Sequence, residues 1–146
     1  MNRFEEKIHL HRREQGELSA EQFGEYWIET QDRMFRGSVT LSEKYRIWWS
    51  YIPHFVHTPG YVYAYAFGEL LVLALYSIYR QSPEDYPERY LELLAAGGSD
   101  WPDRLVGRLG VDLNDPNFWF RGLGEIEKLI EWAEKLASES DLPVGG

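Results

Sequence analysis

The sequence predicts an all-α, multi-helical fold. Apolar residues recur at helical spacing along most of the 146-residue chain, and capping signals precede several of these segments. The longest apolar run covers about twenty residues, which is longer than an ordinary strand. No run typical of a parallel strand is left over, so we expect helices throughout.

Length and composition are those of one ordinary domain. A chain of 146 residues, 44% of them hydrophobic and 16% aromatic, can bury a sizeable core of its own. We therefore expect a single helical domain over residues 1–138. Residues 139–146 should form a flexible tail, because chain ends without apolar anchors fray.

The charge excludes some partners. The formal net charge is −9, and a negative field repels phosphate and anionic lipid, so neither nucleic acid nor a membrane is expected as a partner. The chain has no cysteine, which excludes disulfides, thiolate metal sites and a cysteine nucleophile. The first residues contain no apolar signal segment, and a cytoplasmic location is the default.

The first half of the chain predicts three helices. Residues 2–14 are mostly charged with a few apolar positions, which suits a solvated helix with a narrow buried stripe. Ser19 and Gln22 form a capping box for a second helix that runs to about Phe35. Ser42, together with Tyr45, can cap a shorter helix that runs to Pro53.

The run "YVYAYAFGELLVLALYSIYRQ" gives two periodicities. Its first aromatic residues alternate as in a strand, but its length decides for a helix, which we expect to be buried all round. A helix of this length is also long enough to cross a bilayer. Glu69, the tyrosine hydroxyls and the lack of basic flanks argue against a membrane span.

Proline and glycine positions predict three more helices. Proline is favoured in the first turn of a helix, and glycine ends one. The first of them starts near Pro83 or Pro87 and stops at Gly97-Gly98. The second has Ser99 or Asp100 as its N-cap and ends at Gly107 or Gly110. The third has Asp115 as its N-cap and runs to about Ala137.

No metal site is predicted in this chain. His9 and His11 point to different sides of the first helix and are expected at the surface. His54 and His57 could reach one ion from a helical turn, but no suitable third ligand is evident nearby. Carboxylate pairs such as Glu5 and Glu6 lie in charged stretches and are expected in solvent.

A histidine and tyrosine cluster is the remaining candidate for chemistry. Tyr61 and Tyr65 are four residues apart and share a helix face, while Tyr63 faces away. The preceding loop places His57 beside these two hydroxyls. Histidine and tyrosine both donate hydrogen bonds to a developing oxyanion, although tyrosines packed only for stability would give the same pattern.

Two blocks of sequence carry a family resemblance. The segments "WWSYIPHFVHTPGYVYAYAFGELLVLALYSIY" and "YLELLAAGGSDWPDRLVGRLGVDLNDPNFWFRGLGEIEKLIEWAE" resemble the C-terminal part of the oligoendopeptidase F branch of the thimet-oligopeptidase family of zinc metallopeptidases. The upstream segment "NRFEEKIHLHRREQGELSAEQFGEYWIETQDRMF" is similar to the region that follows the family's zinc site. The resemblance implies an all-helical peptidase.

The resemblance also implies half of an active site. In this family an H-E-x-x-H motif and a later glutamate hold zinc and supply the general base, and the chain contains none of them. It therefore implies that Met1 is an internal position of a longer protein, that zinc belongs to the parent enzyme, and that this chain alone is inactive.

The resemblance assigns roles to the histidine and tyrosine cluster. It implies that His57 and Tyr65 are catalytic and that His54, Tyr61 and Tyr63 bind an oligopeptide substrate. His54 remains a rival for the oxyanion role of His57, because the spacing departs from that of the thimet branch. Gly68 occupies the place of a third tyrosine.

The implied partner is the missing N-terminal part of the peptidase or, failing that, a second copy. Self-association would use the aromatic faces of the second helix or of the tyrosine-rich helix. The alternative to a peptidase segment is a non-catalytic helical module that binds peptides or a partner protein.

Overall fold

The computed structural model describes residues 1–139, which contain seven α-helices and one 3₁₀ helix. The α-helices are α1 (Asn2–Glu14), α2 (Ala20–Phe35), α3 (His54–His57), α4 (Tyr63–Gln81), α5 (Tyr86–Ala96), α6 (Pro102–Gly107) and α7 (Pro116–Glu139). The 3₁₀ helix is Glu43–Tyr51. No strand occurs within residues 1–139, so the predicted all-α fold is confirmed.

The chain divides into two compact units, with the boundary between Ala66 and Phe67, inside α4. The described residues of the first unit are 1–66, and those of the second are 67–139. A single domain over residues 1–138 stays a prediction. Residues 140–146, which are most of the predicted flexible tail, lie outside the described residues.

The start of α2 follows the predicted capping box. The backbone N–H of Gln22 donates to the Ser19 hydroxyl at 3.3 Å, and the backbone N–H of Ser19 donates to the Gln22 side chain at 2.8 Å. The helix ends at Phe35, as predicted. The 3₁₀ helix Glu43–Tyr51 follows Ser42, whose side chain makes no capping hydrogen bond.

The later helices begin close to the predicted positions. Pro87 is the second residue of α5. Trp101 is the N-cap of α6, so the predicted cap on Ser99 or Asp100 is wrong; the Asp100 carboxylate instead accepts from the Trp101 N–H at 2.8 Å. The Asp115 carboxylate accepts from the N–H of Asn117 at 2.9 Å, which confirms it as the residue that caps α7.

The core of the first unit is aromatic. Phe4, Ile8 and Trp27 are buried, and partly buried aromatic side chains from α2, the 3₁₀ helix and α3 pack against them. The Phe4 ring meets the Trp27 ring edge-on at 5.3 Å and the Phe55 ring at 5.0 Å. Phe23 stacks on Trp49 at 4.6 Å. The buried side of α1 therefore contacts α2 and α3, and α2 in turn packs against the 3₁₀ helix.

His11 is buried in this unit, so its predicted surface position is wrong. Its Nδ1 lies 2.7 Å from the Tyr26 hydroxyl. The reason is helical spacing, because His11 follows Phe4 and Ile8 on the buried stripe of α1 at intervals of four and three residues. His9 is exposed, as expected.

The core of the second unit combines aliphatic side chains with two aromatic ones. Its buried members are Ala74, Leu75, Tyr86, Val106, Leu109, Val111 and Phe118. Only the face of α4 that meets this cluster is buried, whereas Val72, Tyr76 and Tyr79 are exposed. The expectation that this helix is buried all round is therefore wrong. No helix within residues 1–139 is both long and apolar enough to cross a membrane.

Two further contacts fix α7 in the second unit. A Cβ placed on Gly122 would lie 2.6 Å from the carbonyl oxygen of Leu70, so α4 and α7 approach each other as closely as a glycine allows. One turn later the buried carboxylate of Glu125 accepts a hydrogen bond from Lys128 at 2.6 Å. Arg80 of α4 lies 3.5 Å from the same carboxylate.

Candidate functional site

The short helix α3 and the loop after it build the candidate site. Pro53 precedes α3, and its carbonyl accepts from the N–H of His57 at 2.8 Å. The Thr58 carbonyl then accepts from the N–H of Tyr61 at 3.3 Å. Between them Gly60 has a φ of 81°, a conformation that glycine adopts readily. The loop thus turns the chain back from α3 into α4.

This turn brings Tyr61 and Tyr65 against His54. The Nε2 atom of His54 lies 2.8 Å from the Tyr65 hydroxyl. The His54 ring stacks on the Tyr61 ring at 6.0 Å with an interplanar angle of 9°. Tyr61 and Tyr65 meet edge-on at 6.2 Å. Each ring therefore contacts the other two, and we call these three residues the His–Tyr trio.

The trio is open to a ligand. Tyr61 and Tyr65 are 49% and 53% exposed, and His54 is half-buried. A neutral imidazole and a phenol have one hydrogen-bond donor each, and the bond between them uses only one of the two. If His54 Nε2–H donates to the Tyr65 oxygen, the Tyr65 hydroxyl is free to donate a hydrogen bond to a ligand. In the other tautomer that outward donor is His54 Nδ1–H.

The structure places the remaining predicted site residues outside the trio. His57 occupies the last position of α3 and is exposed, and its ring has no hydrogen-bonding partner within residues 1–139. The position expected for His57, beside both tyrosines, is taken by His54. The physical reason is the turn at Gly60, which carries Tyr61 back to the start of α3 rather than its end. Tyr63 is 57% exposed on another side of α4.

Glu5 is a residue that sequence reasoning missed. Its carboxylate was expected in solvent, but it is only 4% exposed, and its Oε1 accepts from the N–H of Gly60 at 2.6 Å. The neighbouring Glu6 is exposed and pairs with Arg3 at 3.1 Å. The signal was present in the sequence, because Glu5 lies three residues before Ile8 on the buried side of α1.

The described residues offer no zinc site. Within residues 1–139 no group of three or more histidine, aspartate or glutamate side chains is arranged to hold a metal ion. His54 uses Nε2 in its contact with Tyr65. Zinc therefore does not fit the donors that this segment presents.

Comparison with known proteins shows the family. The model of peptidase family M3 matches residues 1–125, so the chain belongs to this family of zinc metallopeptidases. This confirms the resemblance read from the sequence.

Curated relatives of this chain are named as oligopeptidases. It is 30% identical over 113 residues to oligopeptidase PepF of Bacillus subtilis, a match that covers 77% of this chain and 17% of the relative. It is 29% identical over 136 residues to the plasmid oligoendopeptidase F of Lactococcus lactis subsp. cremoris, covering 88% of this chain and 22% of that protein.

A third relative gives the same proportions. Group B oligopeptidase PepB of Streptococcus agalactiae is 28% identical over 137 residues, covering 93% of this chain and 22% of PepB. The chain thus spans about a fifth of the length of these relatives. No solved structure matches it.

Proposed function

We propose that this chain supplies the substrate-binding and oxyanion-stabilising part of an oligopeptide-cleaving M3 peptidase. The observation that carries this proposal is the His–Tyr trio, with its 2.8 Å contact between His54 Nε2 and the Tyr65 hydroxyl and its exposed phenols. Membership of family M3 supports the reaction class. The oligopeptidase names of the relatives support the substrate class.

The proposed role of the trio is to donate a hydrogen bond to the reacting carbonyl oxygen. Hydrolysis of a peptide bond converts the carbonyl oxygen into an anionic oxygen, and a donor aimed at that position lowers the barrier. In our proposal Tyr65 is this donor, and His54 fixes the phenol and keeps its proton available. Tyr61 and Tyr63 hold the peptide through their exposed rings and hydroxyls. His57, the histidine that the resemblance favours, is retained as the rival to His54.

Zinc and the general base must come from residues outside the described segment. We therefore expect that the isolated chain does not hydrolyse peptides, and a cytoplasmic location stays a prediction. The proposed partner is the rest of a longer M3 peptidase. Several large apolar side chains are exposed and available for this contact: Ile47, Trp48, Tyr51, Leu129, Ile130 and Trp132.

In the absence of that partner we expect self-association. The α2 face that was expected to mediate it packs inside the first unit through Phe23 and Trp27. The exposed part of α4 around Tyr76 and Tyr79 remains available. Light scattering of the purified chain tests this, and a monomer at high concentration contradicts it.

A chimeric enzyme tests the proposed roles. This chain would replace the 136-residue matching segment of the Lactococcus plasmid oligoendopeptidase F, and cleavage of a quenched fluorescent oligopeptide would be measured. His54→Gln should lower kcat about 10²- to 10³-fold, as expected for loss of an oxyanion group, whereas His57→Gln should change it less than about threefold. The reverse order would assign the role to His57. Unchanged kcat in both variants contradicts a histidine role here.

The competing function is a non-catalytic helical module, favoured by the large exposed aromatic side chains Trp48, Tyr51 and Trp132. The genomic DNA immediately 5′ of the Met1 codon discriminates the two. An in-frame sequence encoding H-E-x-x-H supports the peptidase segment. A stop codon followed by a separate ribosome-binding site supports the module.

A further inference from the structure

The buried carboxylate of Glu5 connects α1 to the loop of the candidate site. Glu5 and Gly60 are 55 positions apart in sequence, yet Glu5 Oε1 accepts from the Gly60 N–H at 2.6 Å. A buried carboxylate is unfavourable unless it is hydrogen-bonded, and a bond from an amide to a charged acceptor is stronger than a neutral one. Two further groups interact with this carboxylate: the exposed imidazole of His9, whose Nε2 lies 3.8 Å from Glu5 Oε1, and the amino terminus of Met1, whose charge attracts it. The Gly60 amide is therefore the main hydrogen-bond donor to Glu5.

The preceding residue of α1 makes a second contact with the same region. Phe4 is fully buried, and its ring packs at 5.0 Å on the ring of Phe55. Phe55 directly follows His54, and Gly60 directly precedes Tyr61. Two successive residues of α1 thus hold the two neighbours of the His54–Tyr61 stack, Phe4 through packing and Glu5 through a hydrogen bond.

The loop between these anchors has little else to hold it. Residues 57–61 are all exposed, and Gly60 has a positive φ. Besides the bond that Gly60 donates to Glu5, the Thr58 N–H donates to the His54 carbonyl at 3.1 Å and the Tyr61 N–H donates to the Thr58 carbonyl at 3.3 Å. Loss of the Glu5 acceptor would release the Gly60 amide to solvent and free the turn that presents Tyr61.

We propose that Glu5 is a positioning residue of the His–Tyr trio. It acts through the Gly60 amide, and it sets the separation of His54 from Tyr61 and Tyr65 without touching the substrate. The effect on catalysis rests on the proposed function, whereas the effect on the geometry of the trio does not.

Nuclear magnetic resonance of the complete chain tests the geometry. The variants are Glu5→Gln, which keeps an acceptor oxygen, Glu5→Leu, which removes it, and Glu6→Leu as the control on the exposed neighbour. Glu5→Leu should speed hydrogen exchange of the Gly60 amide about 10- to 100-fold and abolish the nuclear Overhauser effects between the His54 and Tyr61 rings. Glu5→Gln and Glu6→Leu should retain both signals.

The parent chain gives a result that does not depend on the Leu variant folding. An exposed loop amide exchanges fast unless it is hydrogen-bonded, so the parent Gly60 amide should be protected and should shift in Glu5→Gln. An unprotected Gly60 amide in the parent overturns the proposal. So does a folded Glu5→Leu variant with unchanged Gly60 exchange.

The chimera separates this proposal from the proposed function. Glu5→Leu should lower kcat more than it raises KM, and Glu5→Gln should restore most of the loss. If Tyr65→Phe leaves kcat unchanged while Gly60 protection depends on Glu5, the proposed function fails and the positioning stands. If Tyr65→Phe lowers kcat but Glu5→Leu leaves Gly60 protection and kcat intact, the positioning role is overturned.

Discussion

The two units are held together by different kinds of interior. The first unit buries polar side chains among aromatic ones, and each of these polar groups bonds to another element: Glu5 to Gly60, His11 to Tyr26 and Gln31 to Tyr45. The second unit packs a largely aliphatic cluster, brings helix backbones into close contact and buries one carboxylate, Glu125, beside Lys128 and Arg80. Directional bonds fix where individual groups lie, whereas aliphatic packing supplies stability without specifying single atoms. The candidate site lies in the unit with the directional interior.

Phe4→Ala should have the largest effect on stability and should weaken the first unit. Phe4 is fully buried and contacts three aromatic rings, so its truncation should lower the free energy of unfolding by about 3–5 kcal/mol. Urea unfolding followed by circular dichroism measures this. Leu10→Ala, on the exposed side of α1, is the control and should cost less than about 0.5 kcal/mol. A loss below about 1 kcal/mol for Phe4→Ala contradicts its place at the centre of this core.

Gly122→Ala should have the next largest effect, in the second unit. The added methyl group would lie 2.6 Å from the Leu70 carbonyl oxygen, and we expect a loss of about 1–3 kcal/mol as the helices separate. Gly124→Ala is the matched control two residues along α7, where no other part of the described chain approaches the added carbon within 4 Å, apart from its own helix backbone and chain neighbours. Since alanine favours helix over glycine, Gly124→Ala should stabilise by up to about 1 kcal/mol. Equal effects of the two substitutions contradict the close contact.

The helical fold could be predicted because capping motifs and apolar runs are local features of the sequence. The Ser19–Gln22 capping box and the length of the apolar run in α4 are decided within one helix, and both predictions are confirmed. The capping residue of α6 was misplaced because Asp100 bonds the Trp101 amide one residue short of the helix. Burial of α4 was overestimated because only one of its faces meets the second core.

The site was harder to predict because its contacts are non-local. The pairing of Tyr61 with Tyr65 was predicted from helical spacing, and the two rings do meet although Tyr61 lies two residues before α4 begins. The choice of His54 depends on a turn that Gly60 and Glu5 form. A carboxylate in a charged stretch is usually solvated, and no local pattern says that a loop amide 55 positions away will meet it. The one local indication that Glu5 is buried is its position next to Phe4 and three residues before Ile8, on the apolar side of α1.

Tyr86 offers a smaller test within the second unit. Its hydroxyl is buried and has no hydrogen-bonding partner within residues 1–139, and burial raises the pKa of Tyr86 from 10.0 to about 12. Folding therefore favours the neutral form of Tyr86. The contribution of this group to the free energy of unfolding is complete below pH 10.0 and is lost as pH rises towards about 12.

Tyr86→Phe should remove that alkaline loss and raise the unfolding free energy at neutral pH by about 1 kcal/mol, because it removes an unsatisfied hydroxyl. Absorbance titration of phenolate and urea unfolding at several pH values measure both effects. Tyr76→Phe, which alters an exposed ring on α4, is the control. Ordinary titration of all ten tyrosines near pH 10 would be inconsistent with a buried Tyr86.

The smallest expected effect concerns Glu125. The hydrogen bond from Lys128, together with the charges of Lys128 and Arg80, lowers the pKa of Glu125 below 4.5. Ionised Glu125 therefore stabilises the fold above pH 4.5, and this contribution is lost as pH falls through the lowered pKa. Lys128→Ala removes the main cause of the lowered pKa. The free energy of unfolding, measured at several values below pH 4.5, should therefore fall less steeply with decreasing pH in this variant. Lys135→Ala is the control, because Lys135 pairs with the exposed Glu139, and it should leave this pH dependence unchanged. An equal pH dependence of the unfolding free energy in the two variants would count against the Lys128 interaction.

The most direct test of the central claim is the turnover of the chimera with Tyr65→Phe. The substitution removes one hydroxyl from an exposed ring and leaves the stacking of the trio in place, so it isolates hydrogen-bond donation from packing. We predict that kcat for oligopeptide cleavage falls about 10²- to 10³-fold with little change in KM. A Tyr65→Phe enzyme with the kcat of its parent would contradict the assignment of the His–Tyr trio to oxyanion stabilisation.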